Sequence, residues 1–190
     1  MSVMSEQERL EKRINEILEQ SFLGPYLKQL TITDIRFNGT QLRIQDNEIG
    51  RYFPPEQPSK EDVQKLVKQI SDIQKGNFSH AEPQLDTEIG ILRISGTHQR
   101  ISIDGVNLAI RVSRPHLAIS SIAALVTGDH EPLEQLFKVL MLAESNLIIC
   151  GRTGSGKTEF QKLLVGYTAE DANIVLIEDT RDSHIKTLYP

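Results

Sequence analysis

Gly151-Arg152-Thr153-Gly154-Ser155-Gly156-Lys157-Thr158 is the stretch on which the reading of this 190-residue chain turns. Its spacing is G-x-x-x-x-G-K-[ST], in which glycines let the backbone curl until successive N–H groups converge on phosphate oxygens. A helix opening directly after such a loop adds the positive end of its dipole. Lys157 is then placed to reach the β- and γ-phosphates of a nucleotide, and Thr158 to offer its hydroxyl to Mg²⁺. At average residue usage a match of this kind arises by chance less than about once in a hundred chains of similar length. Gly151 to Thr158 is therefore read as a nucleotide-phosphate site, with ATP and Mg²⁺ as the ligands it is built to hold.

The flanking sequence supplies the setting that the loop needs. Leu147 to Cys150 is an apolar run that predicts a strand ending at the loop, and Ile174 to Ile177 predicts a second one. Between them, Phe160, Leu163, Leu164 and Tyr167 recur at helical spacing, as do Leu133, Leu136, Phe137 and Leu140 before the first run. Alternation of strands and helices in this order predicts an α/β layer with parallel strands. Glu178 and Asp179 follow the second run, so both carboxylates would emerge where ligands of open α/β sheets collect. Spacing alone fits two roles for them equally: carboxylates facing Mg²⁺ or an attacking water, and a solvated cluster at the end of a strand.

Upstream the pattern differs. Ser5-Glu6-Gln7-Glu8 is a capping box followed by Leu10, Ile14, Ile17 and Leu18, which predicts an amphipathic helix over about residues 5–20, broken by Gly24-Pro25. Leu30 to Phe37 and Gln41 to Ile44 flank Asn38-Gly39, a strong hairpin signal. The proline-rich stretch Arg51 to Pro58 reads as a loop. Ser59-Lys60-Glu61-Asp62 then caps a second helix with Val63, Leu66, Val67, Ile70 and Ile73 on one face, ended by Gly76. Ile91 to Ile94, Gln99 to Ile103 and Leu108 to Val112 are further predicted strands, set apart by Gly96 and the Asp104-Gly105 turn. The pattern changes again near residue 116, and Ser120 to Gly128 reads as a short helix ending in a turn. The expected organisation is an α+β domain with a mostly antiparallel sheet over 1–115, a linker over 116–130, and an incomplete α/β RecA-like P-loop domain over 131–190.

Composition narrows the function classes. A chain with 38% hydrophobic and 25% charged residues has the make-up of a soluble globular protein. Its net charge of -5 argues against a surface built for nucleic acid, and no direct sequence-specific nucleic-acid binding is expected. Cys150 is the sole cysteine, so an internal disulfide or a cysteine metal cluster is excluded, and it reads as a small buried hydrophobe in a reducing cytoplasm. The longest apolar runs fall far short of a membrane span, so membrane association would be peripheral. His80, His98, His116, His130 and His184 read as surface histidines.

Taken in order, five sets of residues resemble one family: Thr33-Asp34-Ile35-Arg36-Phe37-Asn38-Gly39; Arg93 in a strand; Ala109-Ile110-Arg111; Ile148 through Thr158; and Ile177-Glu178-Asp179-Thr180. The family is that of the traffic ATPases of bacterial type II and type IV secretion, conjugation and type IV pili. The likeness runs from about residue 24 to the end. It implies an α+β N-terminal domain, a linker and a RecA-like ATPase domain, assembled as a homo-hexamer that works with inner-membrane secretion or pilus machinery from the cytoplasmic side. It further implies that Lys157 and Thr158 bind phosphate and Mg²⁺. Glu178 and Asp179 would belong to an acidic box that organises metal and water, and Arg93 and Arg111 would reach the nucleotide phosphates.

Two departures bear on activity. Asp182-Ser183 stands where the family's acidic box commonly has glutamate and leucine. The family's histidine box and Walker B segment have no counterpart before Pro190, and His184 is too early and isolated to replace the former. The expectation is thus the nucleotide-binding part of an ATPase, a fragment or truncated product with little hydrolysis by itself. Two other readings fit the motifs: a non-catalytic module that joins rings of intact subunits, and an unrelated P-loop nucleotidase or kinase.

Overall fold

Ser5 sets the start of the first helix. Its hydroxyl accepts the N–H of Glu8 while the Glu8 carboxylate accepts the N–H of Ser5, the reciprocal capping box that the sequence predicts. In the computed structural model, which describes residues 5–152, 154–179 and 182–190, this helix, α1, spans Glu6–Gln20. The chain divides into two compact units, Met1–Ser113 and Arg114–Pro190.

The first unit is an antiparallel sheet covered on one face by helices. After α1 come a short helix α2 (Gly24–Leu27), strands β1 (Ile32–Phe37), β2 (Leu42–Asp46) and β3 (Gly50–Tyr52), helix α3 (Lys60–Ile73), and strands β4 (Gln84–Ile89), β5 (Leu92–Thr97) and β6 (Asn107–Val112). The six strands lie in the order β3-β2-β1-β6-β5-β4, and every neighbouring pair is antiparallel. Burial alternates along the strands, so that Ile35, Ile44, Ile94, Leu108 and Ile110 are enclosed together with Ile14 and Leu18 of α1 and Val63, Leu66, Val67 and Ile70 of α3. The period of two in the strands and of 3.6 in the helices therefore meets in a single core.

Close packing is visible at Gly96. A methyl group built there would lie 2.6 Å from a methyl of Val67, so α3 approaches β5 too closely for any side chain at this position. The Asn38-Gly39 hairpin is also present: the Asn38 carboxamide oxygen accepts from the N–H groups of Thr40 and Gln41, and Gly39 has φ of 91°.

Several predicted elements are corrected. Gln99 to Ile103 is part of the connection between β5 and β6, because Thr97 already pairs with Asn107 and the chain between them must turn. Strand β4 was not expected; its outward residues Gln84, Asp86 and Glu88 make it look like a loop, although charge on an edge strand is the usual guard against further pairing. Strand β3 takes in Arg51 and Tyr52, the first two residues of the proline-rich stretch whose composition reads as a loop. The first unit's His98 is a buried histidine at 5% exposure, not a surface one.

Among the described residues the second unit holds a short 3₁₀ turn at Ile122–Ala124 and three helices, α4 (Glu131–Leu142), α5 (Lys157–Val165) and α6 (Ile185–Leu188). Leu163 and Leu164 of α5 are buried, as are Ile122 and Ile185, and Phe137 of α4 meets Phe160 of α5 edge-on at 5.1 Å. Leu147–Cys150 and Ile174–Ile177 are not strands among the described residues: neither run has a ladder partner, and Ile148 and Ile177 are 93% and 91% exposed. Cys150 is exposed rather than buried for the same reason. None of the described helices is long and apolar enough to cross a membrane.

Candidate functional site

The loop from Gly151 enters α5 through two glycines in the left-handed region, Gly154 with φ of 78° and Gly156 with φ of 84°. For any other L-residue this conformation costs about 1–2 kcal/mol, which is why the motif demands glycine there. Gly156 is the N-cap of α5, and its carbonyl accepts the N–H of Phe160 at 2.9 Å. The Ser155 N–H donates to the Arg152 carbonyl at 3.2 Å and closes the loop on itself. At Gly151 a methyl group would lie 2.8 Å from the Ser155 hydroxyl, so the start of the loop also has little room for a side chain. Thr153 lies outside the described residues.

Lys157 opens α5 and folds back over the loop, its ammonium donating to the carbonyls of Gly151 at 3.0 Å and Arg152 at 2.8 Å. The cation thus spans the mouth of the loop, and among the described residues its hydrogen bonds go to neutral acceptors, which a phosphate would displace with a charge-assisted bond. Thr158 follows on the first turn of α5 with its side chain exposed. A curled, glycine-rich loop, a helix N-terminus and a lysine at its mouth together fit the phosphates of a nucleotide with Mg²⁺. A cleft of about 390 Å³ borders the loop, its lining including Leu125, Phe137, Ile148, Phe160, Ser155 and Lys157.

Glu178 and Asp179 are exposed, and Glu178 accepts the N–H of the buried Ser183 at 3.0 Å. Among the described residues, Lys157 bonds within its loop and Glu178 within its own, so no direct hydrogen bond joins these parts of the predicted site. Thr180, the last residue of the acidic stretch, lies outside the described residues.

Arg93 and Arg111 are brought together in the first unit. They are directly opposite one another on β5 and β6, both on the sheet face away from the helices. Like charges facing across a ladder are unfavourable; here Glu88 stands opposite Arg93 and Asp34 opposite Arg111, giving the row Glu88–Arg93–Arg111–Asp34 across four strands. The adjacent row carries Arg36 beside Arg43, with the Arg36 guanidinium 3.0 Å from the Asp34 carboxylate. The strand pattern around Arg93 and Arg111 was legible in the sequence. Their register was not, because it depends on non-local pairing.

Two features of chemical interest escaped the sequence reading. Lys162 of α5 is 3% exposed and pairs with Glu159 at 2.7 Å; within an apolar helical face its only signal was the i, i+3 spacing to Glu159. His98 stacks edge-on with Phe78 and with His80, whose ring centroid is 4.8 Å away, and its Nδ1 accepts the N–H of Arg100. Burial, with smaller contributions from His80 and Arg100, holds its imidazole below the ordinary histidine pKa.

Comparison with known proteins agrees with the motif order. The family model described as Type II/IV secretion system protein matches residues 83–188. An uncharacterized protein of Bacillus anthracis is 28% identical over 161 residues, covering 84% of this chain and 36% of that protein. VirB11 of Rhizobium radiobacter is 32% identical over 73 residues, covering 35% of this chain and 21% of VirB11. The crystal structure of the VirB11 ATPase from the Brucella suis type IV secretion system, in complex with sulphate, aligns with 93% of this chain and 60% of its own at a TM-score of 0.45 and 17% identity. The chain therefore spans 36% and 21% of the two curated relatives. With its match extending over more than half of the residues, from β4 through residues 151–158 to α6, the chain belongs to the type II/IV secretion system protein family.

Proposed function

We propose that this chain is the nucleotide-binding part of a secretion, conjugation or pilus traffic ATPase, with ATP and Mg²⁺ held at Gly151 to Thr158. The observation that carries this reading is the loop itself: two left-handed glycines curl the backbone into α5, and Lys157 is already poised over the concavity. In this reading the N–H groups of the loop and of the first turn of α5 bind phosphate oxygens, Lys157 leaves its carbonyls for the β- and γ-phosphates, and Thr158 would be a ligand of Mg²⁺. The metal, when bound, would neutralise charge on those oxygens.

Glu178 and Asp179 are proposed to orient water and, for Glu178, to share the metal. Arg93 and Arg111 are proposed to supply positive charge to the transferred phosphoryl, a role in which placement of the cation controls rate. Their juxtaposition on one strand pair, flanked by Glu88 and Asp34, supports a function beyond sheet stability. The proposed organisation is an α+β domain over 1–115, a linker over 116–130 and RecA-like P-loop sequence over 131–190. In the full-length protein such subunits would form a homo-hexamer at the cytoplasmic face of the inner membrane, coupling ATP hydrolysis to macromolecular transport.

Calorimetric titration with MgATP tests the reading. Lys157→Ala is expected to weaken binding at least about tenfold, the loss of one charge-assisted bond of ~1.5–3 kcal/mol. Equal affinity in the wild type and the variant would sink it.

A further inference from the structure

The residues immediately after the phosphate loop make a second connection. Ala118 donates its backbone N–H to Oε2 of Glu159 at 3.0 Å, while Oε1 of the same carboxylate holds the Lys162 ammonium at 2.7 Å. That ammonium also donates to the His116 carbonyl at 3.2 Å. Ile119, the next apolar residue, has its Cδ1 3.9 Å from the position a methyl group on Gly156 would occupy. One short segment, 116–119, is thus fastened by two side chains of α5 and lies against the last glycine of the loop.

The fastening is costly to break on one side only. The Lys162 side chain is 4% exposed, and a buried ammonium deprived of its carboxylate is an uncompensated charge. Glu159 and Lys162 are on the same rigid helix as Lys157 and Thr158, with Glu159 in its first turn. The segment they hold lies just after the boundary of the two units at Ser113 and Arg114. Any rearrangement of that first turn on binding phosphate, when Lys157 leaves the carbonyls of Gly151 and Arg152, therefore acts on 116–119 through Glu159.

We infer that Glu159 and Lys162 are positioning residues that tie segment 116–119 to the phosphate-loop helix and make its order depend on nucleotide. The inference rests on the reading of Gly151 to Thr158 as a nucleotide site, and it assigns that site a route of regulation. Neither residue touches the phosphates in this account; both act through the backbone of the segment.

Amide hydrogen exchange of the whole chain, with and without saturating MgADP, separates the two claims. In the wild type, MgADP should slow exchange at Ala118 at least about threefold, since a ligand that binds the closed state makes its opening rarer. Lys162→Met should speed exchange at Ala118 without nucleotide about tenfold and abolish the slowing. Its affinity for MgADP should stay within about threefold of wild type, and the amides of Phe160 to Leu164 should keep their protection. Lys162→Arg, which retains a cation and donors, should restore the nucleotide response. Glu159→Gln, which leaves Lys162 its carbonyl partner, should give the same changes more weakly and serves if Lys162→Met does not fold. Full retention of the wild-type nucleotide response in Lys162→Met that binds MgADP, or in Glu159→Gln where Lys162→Met does not fold, overturns the coupling, as does a wild-type Ala118 indifferent to bound nucleotide. Absence of MgADP binding in the wild type sinks the nucleotide reading and the coupling with it. The fastening itself is still judged without ligand: unchanged Ala118 exchange in folded Lys162→Met, or in Glu159→Gln where Lys162→Met does not fold, overturns it.

Discussion

The two units treat the same kind of residue in opposite ways. In the first, isoleucines such as Ile35, Ile44 and Ile94 are 0% exposed because each strand has neighbours and a helical layer above it. In the second, Ile148 is 93% and Ile177 91% exposed, although their local sequence is at least as apolar. Hydrophobic patterning tells which residues seek burial; only partner elements deliver it. The first unit therefore owes its order to long-range pairing, and the second to local helices and to the fastening of a loop.

The largest expected contrast is in stability. Ile94→Ala should lower the stability of the first unit by about 2–5 kcal/mol through lost burial and a cavity, whereas Ile148→Ala should change the second unit by less than about 0.5 kcal/mol. Urea unfolding followed by probes in each unit checks both, because two units need not unfold as one transition. A large effect of Ile148→Ala would break the comparison.

A smaller effect is expected at Asp46, which caps the turn between β2 and β3. Its carboxylate accepts from the Thr31 hydroxyl at 2.6 Å and from the N–H groups of Glu48 and Ile49 at 2.7 and 3.2 Å. Asp46→Ala should lower the urea midpoint of the first unit, by less than Ile94→Ala does, because three part-buried donors lose their acceptor. The same bonds, the Thr31 hydroxyl foremost, hold its carboxyl below the usual aspartate value. Their contribution is complete above the unfolded-state pKa and is lost as pH falls through the folded one. Urea titrations at stepped acid pH should show that loss in the wild type and not in Asp46→Asn.

The smallest effect concerns His98. Because its folded pKa lies below that of an exposed histidine, the unfolded state takes up a proton first as pH falls. The stabilisation is present above the ordinary histidine pKa of about 6.5 and fades as pH descends through the folded value. NMR titration of the imidazole, with thermal unfolding at stepped pH, should show this loss of stability; His98→Gln should flatten it. A folded pKa at or above the ordinary value would contradict the packing against Phe78 and His80.

How much was legible follows the same division. Caps and helical faces are local, so α1 and α3 could be read to within a residue or two from Ser5, Ser59 and the apolar spacing. The hairpin at Asn38-Gly39 and the left-handed turns at Gly154 and Gly156 are also local, because turn geometry demands particular residues. Strand β4 was hidden by the charges that protect an edge, and Gln99 to Ile103 imitated a strand by alternation alone. Ile148 and Ile177 misled for a related reason: an apolar run states a preference, and pairing depends on residues far away in sequence. The opposition of Arg93 and Arg111, and the buried Lys162, required register and packing that no single window of sequence contains.

Whether Gly151 to Thr158 holds phosphate decides the proposed function. The direct measurement is an amide NMR titration of the ¹⁵N-labelled chain with MgATP. The account predicts that the largest shifts fall on the N–H groups of Gly154, Gly156, Lys157 and Thr158, and that they vanish in Lys157→Ala. Saturable binding with its largest shifts elsewhere, or no shifts in the loop at millimolar nucleotide, would contradict it.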